Sequence, residues 1–376
     1  MVSDIRDSTF SSSARISGEQ LPHLVSELSR TNLAFGFVKV SEDEFAFAAS
    51  PAQFVQKTEG KALRETFRNN RGFLVFPFDT SRYPGYFIPA LLQAGQIHPA
   101  DCQKEENKTA AKPERDTTEV YYKYIVEKAI EEIKEGKFQK LVPARRKILV
   151  HSDFDPGIFL KKLMDAYPQA HLLVFQLPGH GLWISASPEI LLEQSIDSDS
   201  IRTMALAGTR IFNEGEDLKD MSWTEKEIEE QALVSGFIKS KLYGTGYSDF
   251  TEKGPFSVRA GNLVHLRTDF QIARKSESDF LKLAEILHPT PAVCGSPAAE
   301  AREWLIQHEG FGRSFFSGFA GMCGGDSDKL VVLLRICRIQ GDELTFFAGA
   351  GVTALSNPEK EWMETGEKLK TLMTLL

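Results

Sequence analysis

"FQKLVPARRKILV", residues 138–150, decides how the chain folds. Its apolar run reads as a strand, yet Pro143 has no N–H to give a ladder, so the strand lies at an edge, is bulged, or breaks there. Upstream, Asp116 or Thr117 can cap a helix in which Tyr122, Ile125, Val126, Ala129, Ile130 and Ile133 recur at helical spacing and which Gly136 ends. Downstream, "HLLVFQL" (171–177), "LWISASPEILLE" (182–193), "LVHLRTDFQI" (263–272), "LVVLLRICRI" (330–339) and "ELTFFAGAGV" (343–352) predict further strands. Two more helices are predicted, over about 224–243 and from Pro358 to the C-terminus, the second capped by Ser356 or Asn357 with Pro358 in its first position. Many hairpin-like strands and few long helices imply a mixed α+β fold.

The opening hundred residues also read as sheet, from "LAFGFVKV" (33–40) and "GFLVFPF" (72–78) between Gly and Pro turns. The polar stretch "DCQKEENKTAAKPER" (101–115) then predicts an exposed connection. The expected division is a sheet-rich N-terminal region (1–105) belonging to the same fold, a linker (106–117), and a region bearing the chemistry (118–376). The 376 residues carry a net charge of −8, which argues against nucleic-acid and anionic-membrane partners, since both reward a basic surface. No apolar run suits a signal peptide or a membrane span, so the expected location is cytoplasmic. Cys102, Cys294, Cys323 and Cys337 have no metal-type spacing and read as reduced thiols.

Several side chains stand out chemically. Glu361, Glu364 and Lys368 fall at i, i+3 and i+7 of the last helix, so two carboxylates and an ammonium share a stripe. Such carboxylates either share a hard divalent cation or form a solvated face. Glu230 lies in one stripe with Leu233, Val234 and Phe237, which costs desolvation unless Lys226, one turn earlier, or a metal shared with the last helix neutralises it. Glu189 follows Pro188 and precedes aliphatic residues; a carboxyl near apolar surface keeps its proton and can act as a general acid. Lys140 leads an apolar strand, where desolvation favours a base. Alternation in "LVHLRTDF" sends His265 to a polar face. Arg335, in an apolar strand, needs an anionic partner.

Two familiar patterns fail. "FFAGAGVTA" fits a dinucleotide fingerprint through Gly349, Gly351 and Ala354, but the next helix begins only after Ser356, too late to receive a pyrophosphate. "GMCGGDSD" lacks the Lys and Ser/Thr of a phosphate loop and reads as a hairpin turn.

Taken in order, "KLVPARR", "SASPEILLE", "LAGTR", "KEIEEQALV", "VHLRT", "LHPTPAVCGSP", "RSFFSGFAG", "LLRI", "AGAGV" and "SNPEKEWMETGEKL" span residues 137–370 and resemble the chorismate-utilising enzymes, the family of anthranilate synthase component I and isochorismate synthase. The resemblance implies two antiparallel β-sheets packed as a sandwich with flanking helices, a Mg²⁺ cofactor held by Glu230, Glu361 and Glu364, and chorismate as substrate. It places Arg335, Lys368 and the backbone at Gly349 and Gly208 around the enolpyruvyl carboxylate, and Thr290, Pro291 and Ala292 beside the ring; His265, on its polar face, either binds substrate or contacts water. It implies Lys140 as the base that activates water toward C2 and Glu189 as the acid that protonates the departing C4 hydroxyl. The proline-rich "ILHPTPAVCGSP" (286–297) becomes a wall of the active site, and its His288, with no terminal lysine, points to the isochorismate-forming branch. That branch feeds menaquinone or siderophore synthesis and expects no glutaminase subunit. A salicylate-forming lyase and a non-catalytic chorismate binder are the alternatives. Gln231 stands where relatives often have histidine, Phe316 where tyrosine is common, and Ser185 where glycine is usual.

Overall fold

A computed structural model describes residues 15–58, 70–92 and 115–376, apart from 196, 214, 277 and 278. Most of the expected linker, 106–114, and Cys102 lie outside these residues. The described strands form two large antiparallel sheets. The first, in spatial order, is β1 (Arg15–Ser17), β3 (Glu44–Ser50), β2 (Ala34–Lys39), β9 (His171–Leu177), β10 (Gly181–Ser187), β18 (Ile336–Gln340), β19 (Glu343–Gly349) and β8 (Ala144–Val150). The second is β13 (Phe250–Ala260), β14 (Leu263–Ala273), β12 (Ser200–Ile211), β11 (Ile190–Ser195), β17 (Ser327–Val332), β16 (Phe319–Cys323), β5 (Gly72–Phe76), β6 (Gly85–Pro89) and β4 (Gln56–Thr58). Strands from the first hundred residues enter both, through β2 against β9 and β5 against β16.

Helices cover the outer faces, so many central strands are apolar on both sides rather than alternating with polar positions. Leu173, Phe175, Met204 and Leu206 fill the space between the sheets. Leu172 and Val174 point the other way, to α1 (Leu21–Leu28), α3 (Pro156–Ala166) and α7 (Pro358–Met373). Ala205 and Ala207 meet α4 (Glu225–Gly244) and α5 (Asp279–Leu287). A smaller core joins α2 (Glu119–Lys134) to α6 (Ala298–His308).

The cap of α2 is Thr118, whose hydroxyl accepts from the Tyr121 N–H, not Asp116 or Thr117. Those two bind the edge of β8 instead: an Asp116 carboxylate oxygen accepts from the Ile148 N–H and the Thr117 hydroxyl from the Arg146 N–H. The edge strand takes the capping groups because its own N–H donors there face no neighbouring strand. The last helix is capped by Asn357, and the GMCGGDSD segment turns β16 into β17 as a hairpin.

Three breaks in predicted strands build the site. Pro143 separates a short β7 (Lys140–Leu141) from β8, and β7 pairs with β15 (Gly295–Ser296) at the end of the proline-rich stretch. Residues 182–193 and 330–339 are each expected as one strand, but each is two. The first leaves one sheet at Ser187 and enters the other at Ile190; the second makes the reverse crossing between Val332 and Ile336. The crossings run side by side, the Val332 N–H donating to the Glu189 carbonyl and the Ala186 N–H to the Arg335 carbonyl. Period-two hydrophobicity cannot reveal this, because both sheets bury both faces. Glu189 and Arg335 sit in the two crossings, Arg335 with φ of 45°, an unusual conformation for a bulky residue.

Candidate active site

Lys140, Glu189, Gly208, Glu230, His265, Ala292, Arg335, Gly349, Glu364 and Lys368 line one cavity of about 60 Å³. A second cavity of about 50 Å³ shares Val142, Ala292, Leu334, Arg335, Gly349 and Lys368 with it. Ten of the twelve expected site residues therefore converge. Glu361 is linked through Lys226, and Thr290 is buried outside the wall with its hydroxyl unpartnered.

Lys140 is only 1% exposed. The Val142 N–H donates to the Cys294 carbonyl and the Leu141 and Val352 backbones bond each other, so the short strand is clamped on both edges. Lys140 Nζ is 3.4 Å from Glu230 Oε2. A side chain at Gly351 would fall 2.7 Å from that oxygen and 2.8 Å from Lys140 Cε, so glycine here makes room for the pair. Gly351 is a site residue the sequence reading missed, although it lies in both the rejected fingerprint and the "AGAGV" motif.

Glu189 is 2% exposed, and burial pushes its carboxyl up to about 8 against the opposing pull of Lys140. It therefore holds its proton at neutral pH. His265 does not lie on a polar face: it is buried, with Nδ1 3.2 Å from the Gly208 carbonyl and 3.1 Å from the Thr209 hydroxyl. A carbonyl can only accept, so Nδ1 carries the hydrogen and Nε2, which has no partner, offers a lone pair to the cavity. Burial, then Arg335 and Lys368, hold the imidazole well below its usual range and thus neutral. Gly208 sits at a bulge with φ of 69°, and a Cβ there would meet Glu227 at 2.9 Å.

Positive charge gathers opposite. Arg335 is 9% exposed with Nη2 unpartnered; burial lowers it to about 10, against the pull of Glu364, so it stays charged. Lys368 donates to the Gly349 carbonyl at 2.8 Å and pairs with Glu364 at 2.7 Å. Burial raises Glu364, but Lys368, Lys226 and Arg335 outweigh it and keep the carboxylate ionised. Burial and the neighbouring Glu364 raise Glu361, despite Lys226.

The acidic trio tests the expected magnesium. Glu361 Oε2 is buried without a hydrogen-bond partner beside a second carboxylate, and hard oxygen donors are what Mg²⁺ prefers. Among the described residues no three such side chains stand at metal-binding spacing. Lys226 lies between them, 2.7 Å from Glu361 Oε1 and 3.6 Å from Glu230 Oε1. The donor chemistry suits a divalent cation, while in this arrangement Lys226 stands between the carboxylates and holds their charge.

Other expected residues play packing roles. His288 is edge-on to Phe76 and Phe319 in the core. Gln231 donates to the Ala205 carbonyl and the Thr268 hydroxyl behind the site. Sequence reading also missed Arg313, whose guanidinium bonds the carbonyls of Val142 and Val293 and the carboxylate of Glu309, while Glu309 accepts from the Ala144 N–H. An arginine inside the aromatic "GRSFFSG" was the available signal.

Residues 89–376 match the family model for chorismate binding enzyme. Isochorismate synthase EntC of Escherichia coli K12 is 30% identical over 234 residues, covering 61% of this chain and 59% of that protein. The vibriobactin-specific isochorismate synthase of Vibrio cholerae is 25% identical over 365 residues, covering 94% and 90%. The chain thus aligns with 59% of the length of the first curated relative and nearly all of the second. The solved structure of MenF, the menaquinone-specific isochorismate synthase of E. coli, shares the fold with a TM-score of 0.76 at 23% identity, covering 94% of this chain and 91% of that one. Anthranilate synthase component I of Streptococcus pneumoniae superposes with a TM-score of 0.63 at 16% identity, over 91% and 92%.

Proposed function

Because the chain belongs to the chorismate-binding enzyme family, we propose that it is an isochorismate synthase, converting chorismate to isochorismate with Mg²⁺. The observation that carries this reading is a buried Glu189, its carboxyl pushed up by burial, in the wall of one cavity with Lys140. A binding module has no need of an acid and a base placed about a ligand.

In this reading the substrate's carboxylates take the cationic side, Arg335 and Lys368. When bound, Mg²⁺ supplies positive charge to the ring carboxylate, and Glu230, Glu361 and Glu364 would hold it. Lys140 removes a proton from water as its oxygen bonds to C2. Both ring double bonds shift, C1=C2 to C1=C6 and C5=C6 to C4=C5, the C4–O bond breaks, and Glu189 gives its proton to the leaving hydroxyl, which departs as water. One water enters and one leaves, so no redox partner is needed. Neutral His265 accepts a hydrogen bond at Nε2 from a substrate hydroxyl. Residues 118–376 supply this chemistry and the N-terminal strands frame the sheets.

Incubating the purified protein with chorismate and Mg²⁺ and separating the products by HPLC tests the reading. Isochorismate is expected. Salicylate with pyruvate, anthranilate, or unchanged chorismate overturns it.

A further inference from the structure

A second, larger cleft of about 730 Å³ adjoins the catalytic cavity, and Pro188 and Arg335 belong to both walls. Its charge is one-sided. Among the described residues three arginines, Arg259, Arg267 and Arg335, line it and no aspartate or glutamate does, in a protein of net charge −8. The catalytic cavity, by contrast, contains Glu189, Glu230 and Glu364.

Two of the arginines, Arg259 and Arg335, keep guanidinium capacity free. Among the described residues Arg259 has no ion pair: its Nε donates to the Gly261 carbonyl and its guanidinium lies 4.0 Å over the Phe212 ring. Arg267 is ion-paired at 2.5 Å to Asp269, two residues on along β14 and not itself in the cleft wall. Arg335 keeps Nη2 unpartnered at the boundary. Tyr167 packs against Gly261, where a Cβ would meet its ring at 2.5 Å, so the loop before β9 is seated on the β13–β14 turn, beside Arg259 at the end of β13.

Resting on the isochorismate synthase reading, we propose that this cleft is the encounter site for a small dicarboxylate: Arg259 and Arg267 capture it and Arg335 receives it into the cavity. A concave wall of one sign focuses the field and speeds association of an oppositely charged ligand, and salt screens the effect. Neither capturing arginine touches the reacting atoms, so their contribution falls on association and not on chemistry.

Stopped-flow mixing of the full chain with chorismate and Mg²⁺, across a range of salt, reads the association rate. Trp223 is a built-in reporter, since its indole N–H donates to the Ser257 hydroxyl in the cleft wall. Arg259→Gln and Arg267→Gln are expected to slow association roughly three- to ten-fold at low salt, flatten its salt dependence, and leave kcat within about two-fold. Arg259→Glu slows it further, whereas Lys128→Gln, on the far face of α2, changes nothing. Association rates and salt slopes equal to wild type in all three cleft variants overturn the proposal. Chorismate that binds without yielding isochorismate overturns the functional reading and leaves the cleft to the association rates; no binding at all overturns both.

Discussion

Lys140 and Glu230 face each other at 3.4 Å in the bottom of the catalytic cavity, and only the hydrogen of Gly351 separates them from the neighbouring backbone. A methyl group there has nowhere to go without moving one partner. Gly351→Ala is expected to lower kcat by roughly ten- to a hundred-fold, because displacing a reacting group by about 1 Å costs that order of rate. The melting temperature should change little, since the side-chain ends can yield. Steady-state kinetics beside a thermal melt checks this; unchanged kcat removes the pair from the chemistry.

Glu189 ties activity and stability to pH in the same direction. With its carboxyl near 8 in the fold against an ordinary 4.5, the folded chain binds the extra proton across that window. Stability from this group is therefore undiminished below about pH 4.5, falls by about 1.4 kcal/mol per pH unit as pH rises, and levels off above 8. The acid also loses its proton there, so kcat should decline above about pH 8. Glu189→Gln keeps the shape but cannot ionise: it should lose at least a hundred-fold in kcat and become the more stable protein at alkaline pH. Denaturant midpoints for both proteins at pH 5 and pH 9 decide this, and a parallel pH response contradicts it.

Much of this was legible in the residues themselves. The helix at Glu119–Lys134, the break at Pro143 and the capped last helix follow from spacing, proline geometry and cap chemistry. The ordered motifs located ten of the cavity's residues. What was not legible was the exchange of strands between sheets at Glu189 and Arg335, since strands buried on both faces carry no alternation to lose. His265 was misplaced for a related reason: alternation gives the side of a strand, but α4 crosses the side on which Gly208 bulges and seals it. The role of Gly351 depends on Lys140 and Glu230, and that of Arg313 in part on Val142, each more than a hundred residues away along the chain.

Lys226 gives the acidic cluster its present balance, and its removal should make the fold depend on metal. Lys226→Met leaves Glu361 and Glu230 buried without that ammonium. In chelator the variant should melt several degrees below wild type, as expected when about 1–3 kcal/mol is lost from a chain of this size. Mg²⁺ should then raise its melting temperature more than it raises that of wild type, because a ligand stabilises most where it binds most tightly. Melts with and without Mg²⁺ are the measurement; equal Mg²⁺ shifts would show that Lys226 and the metal do not compete.

Arg313 is the brace behind Lys140, and its loss should be costly for a reason separate from catalysis. Its guanidinium joins Val142, at the break before β8, to Val293 in the proline-rich stretch, and it pairs with a Glu309 carboxylate that is itself buried. Arg313→Met removes one partner and leaves that charge uncompensated, a change that costs about 3–5 kcal/mol. Adding Glu309→Gln removes the stranded charge, so the double variant should be more stable than Arg313→Met alone, the opposite of additive loss. Activity should not return with it, since the clamp on Lys140 is still missing. Denaturation of the two single variants and the double, with kcat of the double measured well below its melting temperature, separates the two effects; a double variant as unstable as the sum of the singles would refute the brace.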